Sequence, residues 1–342
     1  MSLKNLNVIT KIPKHFENNL KNQKINQIYR RFEKRLNISN NFIVAVSGGP
    51  DSLALAFLSK IYSIKKRLIA KFFIVDHKLR PESTQEAKRV KNILKKHSIS
   101  SKILTWVGKK PHKNIQSIAR KKRYELLFAE SNKLKINNIL LGHHQNDLFE
   151  NFIIRMIRGS GLKGLVSLDK IKKTNGKNLL RPLIDEKKDD LMLVSKKVFS
   201  TYINDPTNHD EKYLRIHVRK LIEEFEKKGL DKKKFITTIK NLKHSNNVVD
   251  YYVKKNLEKN TFFLKKKNKL FLKKEYFNQP FEIIFRSLSE SIKFVGKKYD
   301  FVRGKKLKKI ISNIENNRKY KQTIGGCIIE KVSQTIIISK ER

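Results

Sequence analysis

The chain has 342 residues, with 78 Lys and Arg against 31 Asp and Glu, and a formal net charge of +47. Hydrophobic residues make up 39% of it, enough to build buried cores, so a chain that is disordered throughout is excluded. It has no apolar run long enough to span a membrane, and its single cysteine excludes a disulfide framework and a four-cysteine metal site. We expect a cytoplasmic protein of about two domains.

The positive charge extends along the whole chain instead of being confined to a tail. Such a surface favours a polyanionic partner, and nucleic acid is the obvious one. The chain is also rich in Lys, Ile and Asn, the residues that A/T-rich codons encode. Because such a coding bias adds lysines regardless of function, the composition leaves open which lysines bind RNA. The densest stretch, Lys254–Lys274, contains nine lysines with phenylalanines between them. Two explanations stay open for this stretch. Its lysines bind phosphates while its phenylalanines stack on bases, or the lysines form a solvated surface over a core of phenylalanines.

Short apolar runs and helical patterns alternate over the first 160 residues. After a basic amphipathic helix over 14–36, the patterns predict strands at 41–46, 68–75, 102–107 and 138–141. They predict helices at 51–63, 82–97, 114–132 and 146–157. This alternation is typical of a parallel sheet with crossover helices. We therefore predict an open, doubly wound α/β domain with a parallel sheet.

The rest of the chain changes character. Residues 160–181 are expected to form a loop, and a helix is expected over 186–200. The turn cluster at 205–208 then predicts a boundary between domains 1–206 and 207–342. The second domain begins with helical patterns at 211–228 and 231–255, and short apolar runs follow at 270–272, 282–285 and 335–338. These features predict a smaller α+β domain with an antiparallel element.

Ser47-Gly48-Gly49-Pro50-Asp51-Ser52 lies between the first predicted strand and its helix. Glycines let the backbone approach a ligand closely, and a helix N-terminus favours negative charge, so the segment suits a phosphate. It lacks the Lys of a Walker A loop. Asp51 beside a phosphate indicates a Mg²⁺ ion between them. The alternative is a glycine-rich turn in which Asp51 caps the helix.

This hexapeptide resembles the pyrophosphate (PP) loop of the N-type ATP pyrophosphatases. These enzymes cleave ATP between the α- and β-phosphates and adenylate a carbonyl oxygen of their substrate. The resemblance implies that ATP and Mg²⁺ bind here, with nucleotide contacts from Ser47, Gly48, Gly49, Pro50, Asp51 and Ser52. The thiolases of this superfamily need catalytic cysteines, so the single Cys327 disfavours sulfur transfer.

Further motifs resemble the tRNA(Ile)-lysidine synthetase family within that superfamily. In chain order they are VDHKLR from Val75, an AR-x-x-RY helix from Ala119, GHHQND from Gly142, RGSGLKGL from Arg158, RPL from Arg181 and DPTN from Asp205. The resemblance is continuous from about 42 to 220 and weak beyond. The chain departs from the family pattern at Asn146, where the family has an acid, and at Asn151, where it has Thr. Ile216 and His217 also differ from the Arg-rich segment of the family.

The resemblance implies a ligase that uses ATP to adenylate C2 of the wobble cytidine of tRNA(Ile) with a CAU anticodon. Free L-lysine then forms lysidine, and AMP and pyrophosphate are released. The second domain is expected to grip the tRNA. No membrane partner is expected, and a homodimer is left open.

The resemblance also implies roles for individual residues. Asp51, Asp147 and Glu150 are the expected catalytic residues, and Asp51 and Asp147 the metal ligands. Asp76 and His77 would join the nucleotide site. Arginines would contact RNA at Arg80, Arg120, Arg123, Arg155, Arg158, Arg181, Arg215 and Arg219.

Plain structural explanations stay open beside these roles. Asp147 and Glu150 are three residues apart, so they share one helix face and could hold Mg²⁺ or an amino acid's ammonium. They could equally be acids placed favourably at a helix N-terminus. The arginine pairs spaced by three residues fit phosphate clamps or solvated faces. For His143 and His144, metal, acid–base and nucleotide roles all remain open.

Two other functions are compatible with these observations. One is a different PP-loop ligase that adenylates a small-molecule carbonyl without RNA; the basic second domain argues against it. The other is a non-catalytic RNA-binding protein on a degenerate scaffold, for which Asn146 is the sole support.

Overall fold

The computed structural model describes residues 11–109, 111, 114–203, 214–297, 304–317 and 319–341. The chain forms two compact units, Met1–Lys232 and Lys233–Arg342, and each contains one β-sheet. No helix in these described ranges is both long and apolar enough to cross a membrane.

The first unit is built on a six-stranded sheet of order β3-β2-β1-β4-β6-β5. The strands are β1 Phe42–Val46, β2 Ala70–Asp76, β3 Ser101–Thr105, β4 Asn138–Leu140, β5 Ile171–Thr174 and β6 Lys177–Leu180. All neighbours pair in parallel except β5 and β6. The helices are α1 Lys14–Leu20, α2 Gln23–Leu36, α3 Pro50–Lys65, α4 Ser83–Lys96, α5 Ile115–Lys133, α6 Gln145–Ile157, α7 Leu162–Leu165, α8 Lys188–Phe199 and α9 Leu214–Lys227.

Both faces of this sheet are covered, which confirms the predicted doubly wound α/β fold. Successive strand residues point to opposite faces. In β1, Val44 therefore joins the core formed with α1 to α4 and α8, whereas Ile43 joins the smaller core that α5 covers. Because both faces are buried there, the central strands β1, β2 and β4 consist largely of the apolar runs seen in the sequence, whereas the edge strand β5 is largely exposed.

Two local predictions were wrong. The helix expected over 14–36 is divided into α1 and α2, because the side chain of Asn22 accepts a hydrogen bond from Ile25 N and caps a new helix. The loop expected over 160–181 contains α7 and the β5–β6 hairpin. Asn175 and Gly176 both have positive φ angles, as a two-residue hairpin turn requires.

The boundary between the two units lies between Lys232 and Lys233, later in the chain than the boundary predicted after Pro206. Residues 205–208, on which that boundary was placed, lie outside the described residues. Helix α9 follows them but packs on α6 through ion pairs of Arg215 and Arg219 with Glu150. These contacts place α9 in the first unit.

The second unit has a five-stranded antiparallel sheet of order β7-β8-β11-β10-β9. Its strands are β7 Thr261–Leu264, β8 Lys269–Leu272, β9 Tyr320–Ile324, β10 Cys327–Val332 and β11 Thr335–Lys340, and its helices are α10 Lys232–Asn260, α11 Phe281–Gly296 and α12 Gly304–Asn316. This agrees with the predicted smaller α+β unit. The apolar run at 282–285 lies in α11, and Cys327 is a buried core residue.

An ion-pair cluster fastens α2 to the segment before α8. Glu186 is 2% exposed, and its carboxylate accepts hydrogen bonds from Arg31 at 3.0 and 2.6 Å and from Arg35. The backbone carbonyl of Glu186 accepts a hydrogen bond from Gln145 N at 3.0 Å. The cluster therefore reaches the first residue of α6.

We expect the double substitution Arg31→Ala/Arg35→Ala to destabilise the first unit by about 3–5 kcal/mol, because a buried carboxylate loses its cations. Trp106, the one tryptophan of the sequence, is buried in this unit, so urea unfolding followed by its fluorescence reports the loss. The control Lys122→Ala breaks the exposed pair with Glu125 and should change stability by less than about 0.5 kcal/mol. Equal effects of the two changes would contradict this account.

Candidate active site

The turn after β1 is organised by the hydroxyl of Ser52. This oxygen accepts hydrogen bonds from Ser47 N at 3.1 Å and Gly48 N at 3.0 Å and donates one to Gly49 O at 2.9 Å. The Ser47 hydroxyl also lies 3.2 Å from it. The turn is therefore closed before the first helical residue, Pro50, and the first N–H groups of α3 face the crevice at the strand ends.

Three glycines lie in or against this turn, two within it and one after β4. Gly48 has a φ of +91°, and a Cβ there would lie 2.3 Å from Val90 Cγ2. A Cβ on Gly142 would lie 3.3 Å from backbone atoms of Asp51 and Ser52. In contrast, a Cβ on Gly49 would meet nothing within 4 Å. Two glycines are thus required by packing, and the third borders open space suited to a ligand.

Asp76, expected at the nucleotide site, holds the loop after β2. Its carboxylate accepts hydrogen bonds from Lys78 N, the Ser83 hydroxyl and the Thr84 hydroxyl at 2.8–2.9 Å. Burial by itself raises the pKa of Asp76, but these donors lower it overall. The neighbouring His77 lies with Nε2 3.3 Å from the guanidinium of Arg123. These hydrogen bonds order the end of β2 and the loop after it. A nucleotide contact by Asp76 and His77 stays a prediction.

His144 links the PP-loop to α6. As the N-cap of α6 it accepts a hydrogen bond from Asn146 N on Nδ1, and its own N–H donates to Asp147 Oδ2 at 2.9 Å. Its Nε2 lies 3.5 Å from Asp51 Oδ2 and 3.6 Å from Asp147 Oδ2. Burial lowers the pKa of His144, but the two carboxylates raise it overall. The two predicted catalytic aspartates therefore flank one imidazole.

Glu150 and Asp147 are neutralised by arginines from α9. Arg215 donates to Glu150 and, at 2.6 Å, to Asp147 Oδ1, and Arg219 donates to Glu150 at 2.7 Å. Burial lowers the pKa of Arg215, but the carboxylates raise it overall, so it stays charged. Burial raises the pKa of Asp147, and its cationic neighbours lower it overall. Because Glu150 is 3% exposed, it depends on these cations.

A divalent cation fits Asp51 better than Asp147. Asp51 Oδ1 is buried and has no hydrogen-bond partner, whereas both oxygens of Asp147 already accept hydrogen bonds. In the part of the chain that the structure describes, no group of three His, Cys, Asp or Glu could hold a metal without further ligands. Mg²⁺ commonly uses one or two carboxylates together with substrate phosphates. The donor set around Asp51 is of this kind.

His143 is a neutral imidazole in a strongly cationic setting. Burial lowers its pKa to about 3, and Arg181, Arg120 and Arg215 add to this effect against the opposing charge of Asp147. Its Nδ1 is buried without a hydrogen-bond partner.

The eight arginines expected to contact RNA fall into different settings. Arg120 and Arg158 are exposed. Arg80 pairs with Glu86, Arg123 contacts His77, and Arg155 is half-buried. Arg181 is 3% exposed and donates to Asp169 O, and Arg215 and Arg219 hold the acids of α6. RNA contact stays a prediction for all eight, and acceptors of the chain itself engage five of them: Arg80, Arg123, Arg181, Arg215 and Arg219.

Sequence reasoning missed two parts of this site. It left metal, acid–base and nucleotide roles open for His144 but did not predict that it caps α6, although a histidine three residues before an acid at the start of a helix is compatible with reciprocal capping. It also missed Glu186 and its arginine partners. No local signal could have revealed them, because the partners lie more than 150 residues apart in the chain.

Comparison with known proteins confirms the family that the sequence motifs predict. A family model described as a PP-loop domain matches residues 18–225. A tRNA(Ile)-lysidine synthase from Orientia tsutsugamushi is 35% identical over 87% of this chain and 69% of its own length. The chain belongs to the tRNA(Ile)-lysidine synthase family. Its first unit is thus an ATP-binding PP-loop domain.

Other relatives agree. The synthase of Wolbachia pipientis is 31% identical over 89% of this chain and 71% of its own length. The synthase of Rhodopseudomonas palustris is 34% identical over 57% of this chain and 57% of its own length. Among solved structures, the U34-tRNA thiolase of Methanococcus maripaludis has a TM-score of 0.55 at 19% identity, covering 65% of this chain and 78% of that one. This last similarity shows the fold alone.

We expect Gly48→Ala and Gly49→Ala to affect different properties. Gly48→Ala should lower the unfolding temperature, because its positive φ and the contact with Val90 both oppose a Cβ. Gly49→Ala should keep the unfolding temperature but weaken ATP binding in equilibrium dialysis, because its Cβ fills the ligand space. A Gly49→Ala protein that binds ATP normally would contradict this assignment of the space.

We also expect His143 to make the fold sensitive to acid. Between pH 6.5 and about 3 the unfolded chain binds a proton at this residue and the folded chain does not, so stability falls as the pH is lowered. His143→Gln should weaken the fall of unfolding temperature over this range. His15 and His97, whose pKa values burial lowers, contribute equally to both proteins and cancel in the difference. Parallel curves for the two proteins would contradict the prediction.

Proposed function

We propose that this chain attaches lysine to the wobble cytidine of the tRNA(Ile) that bears a CAU anticodon, with conversion of ATP to AMP and pyrophosphate. One observation carries the proposal: the PP-loop and the acid pair of α6 form one site, joined by His144 between Asp51 and Asp147. Membership in the tRNA(Ile)-lysidine synthase family supports the choice of substrate.

The first step transfers AMP to the base. The C2 carbonyl oxygen of cytidine attacks the α-phosphorus, and pyrophosphate leaves. The PP-loop holds the leaving group, because α3 begins beside the open space at Gly49 and the N–H groups of a helix N-terminus favour negative charge. Fixed donors of this kind stabilise developing negative charge without having to reorganise.

Asp51 is the residue that would hold Mg²⁺ through its unpartnered Oδ1. The bound ion supplies positive charge that stabilises pyrophosphate as a leaving group. His144 keeps Asp51 in place, since its Nε2 lies between this carboxylate and that of Asp147.

The second step needs a free amino acid beside the activated base. Lysine carries an α-ammonium and an α-carboxylate. Each oxygen of Asp147 accepts one hydrogen bond and can accept another, and Asp147 lies beside Arg215, so the site offers a partner of opposite charge for each group. The ε-amine attacks C2 after losing a proton, and AMP leaves. We propose that Asp147 and Arg215 orient lysine and that Glu150 keeps Arg215 in position.

Labelled lysine provides the test. We expect purified protein with ATP and Mg²⁺ to transfer lysine to a tRNA(Ile) transcript with a CAU anticodon and not to the methionine tRNA. Asp51→Asn should abolish transfer, because the unpartnered carboxylate is lost. Asp147→Asn should raise KM for lysine more than KM for ATP.

One control variant and two possible outcomes separate the alternatives. Lys122→Ala, on an exposed face of α5, should be as active as the unchanged protein. ATP cleavage to AMP and pyrophosphate without lysine transfer would indicate another acceptor. Absence of both ATP cleavage and ATP–pyrophosphate exchange would indicate a non-catalytic RNA-binding protein.

A further inference from the structure

Helix α10 of the second unit has one buried face and one exposed face. Ile239, Asn246, Val253 and Asn256 are buried. On the other side, the spacing of three and four residues aligns His244, Val248, Tyr251, Tyr252, Lys255 and Lys259, all exposed. We call these six residues the tyrosine face.

The tyrosine face exposes more apolar surface than a solvated helix needs. Val248, Tyr251 and Tyr252 are 57%, 53% and 51% exposed within little more than one turn. The two tyrosine rings contact each other edge to face, with centroids 5.5 Å apart, and Lys255 Nζ lies 4.5 Å from the Tyr251 centroid. Clustered exposed aromatics of this kind mark interaction sites.

The charge around this face indicates what it binds. Helix α10 contains lysines at positions 232, 233, 234, 240, 243, 254, 255 and 259 but acids at 250 and 258 alone. Asp250 is paired with Arg286 at 2.9 Å, and Glu258 lies 3.6 Å from Lys254. Both acids are therefore paired with cations, and the exposed Lys255 and Lys259 give the tyrosine face its positive charge.

We infer that the tyrosine face binds unpaired bases of the tRNA, with Tyr251 and Tyr252 stacking on bases and Lys255 and Lys259 contacting phosphates. The inference rests on the proposed function, which supplies the RNA. Every base has a flat π surface, so aromatic rings among lysines suit a single-stranded segment of any sequence. A second copy of this chain fits the tyrosine face less well, because the lysines of the two copies would face and repel each other.

The test compares tRNA dissociation constants over a range of KCl concentrations. Tyr251→Leu/Tyr252→Leu keeps apolar bulk and helix propensity but removes stacking, and should weaken binding about five- to hundredfold with an unchanged salt slope. Tyr251→Phe/Tyr252→Phe should bind normally, because the rings remain. Lys255→Gln should lower the salt slope by about 0.7–0.9, because one phosphate contact is lost.

Phe225→Leu, at an exposed aromatic on α9, is the matched control and should bind tRNA normally. Normal binding by the leucine pair, in a protein that transfers lysine, would overturn this inference alone. Failure of the unchanged protein to bind tRNA would overturn the proposed function as well. If sedimentation showed a dimer that the leucine pair dissociates, the face would be an interface between copies and the inference would be wrong.

Discussion

Two nearly buried carboxylates at the start of α6 impose the main constraint on this structure. Asp147 and Glu150 have little access to water, so each needs a cation within hydrogen-bond distance. Arg215 and Arg219 of α9 supply the cations. A chain with a net charge of +47 has no shortage of basic residues, but α9 is the element that packs where these acids lie. This requirement joins α9 to the catalytic unit.

Asp147 also connects α6 to the turn after β1, because His144 lies between it and Asp51. The α6 N-terminus contacts the PP-loop through His144 and Asp51, and Gly142 packs against the backbone of the loop. The N–H of Gln145, the first residue of α6, donates to the carbonyl of Glu186, and Arg31 of α2 holds the Glu186 side chain. Movement of any one of these elements would displace the carboxylates relative to the phosphate-binding turn. Helix α2 therefore contributes to the site although it contains none of its motifs.

Much of the site could be predicted from sequence because its chemistry is local. The strand–turn–helix at Ser47–Ser52, the acids three residues apart at Asp147 and Glu150, and the order of the motifs all lie within short windows. The parallel sheet was predictable for the same reason, since apolar runs alternate with helical patterns. The β5–β6 hairpin could have been predicted from Asn175-Gly176, a turn signal present in the sequence.

The sequence by itself determined the family, the doubly wound fold and the residue types at the nucleotide turn. The tertiary structure decided which side chains meet: Arg215 with Asp147, Arg31 with Glu186, and His144 with Asp51. Helical and strand periodicity depend on neighbours a few residues apart, so a sequence displays them. Ion pairs between residues separated by 65 or more positions depend on how helices pack, and no local pattern records which of 78 basic side chains reaches a given acid.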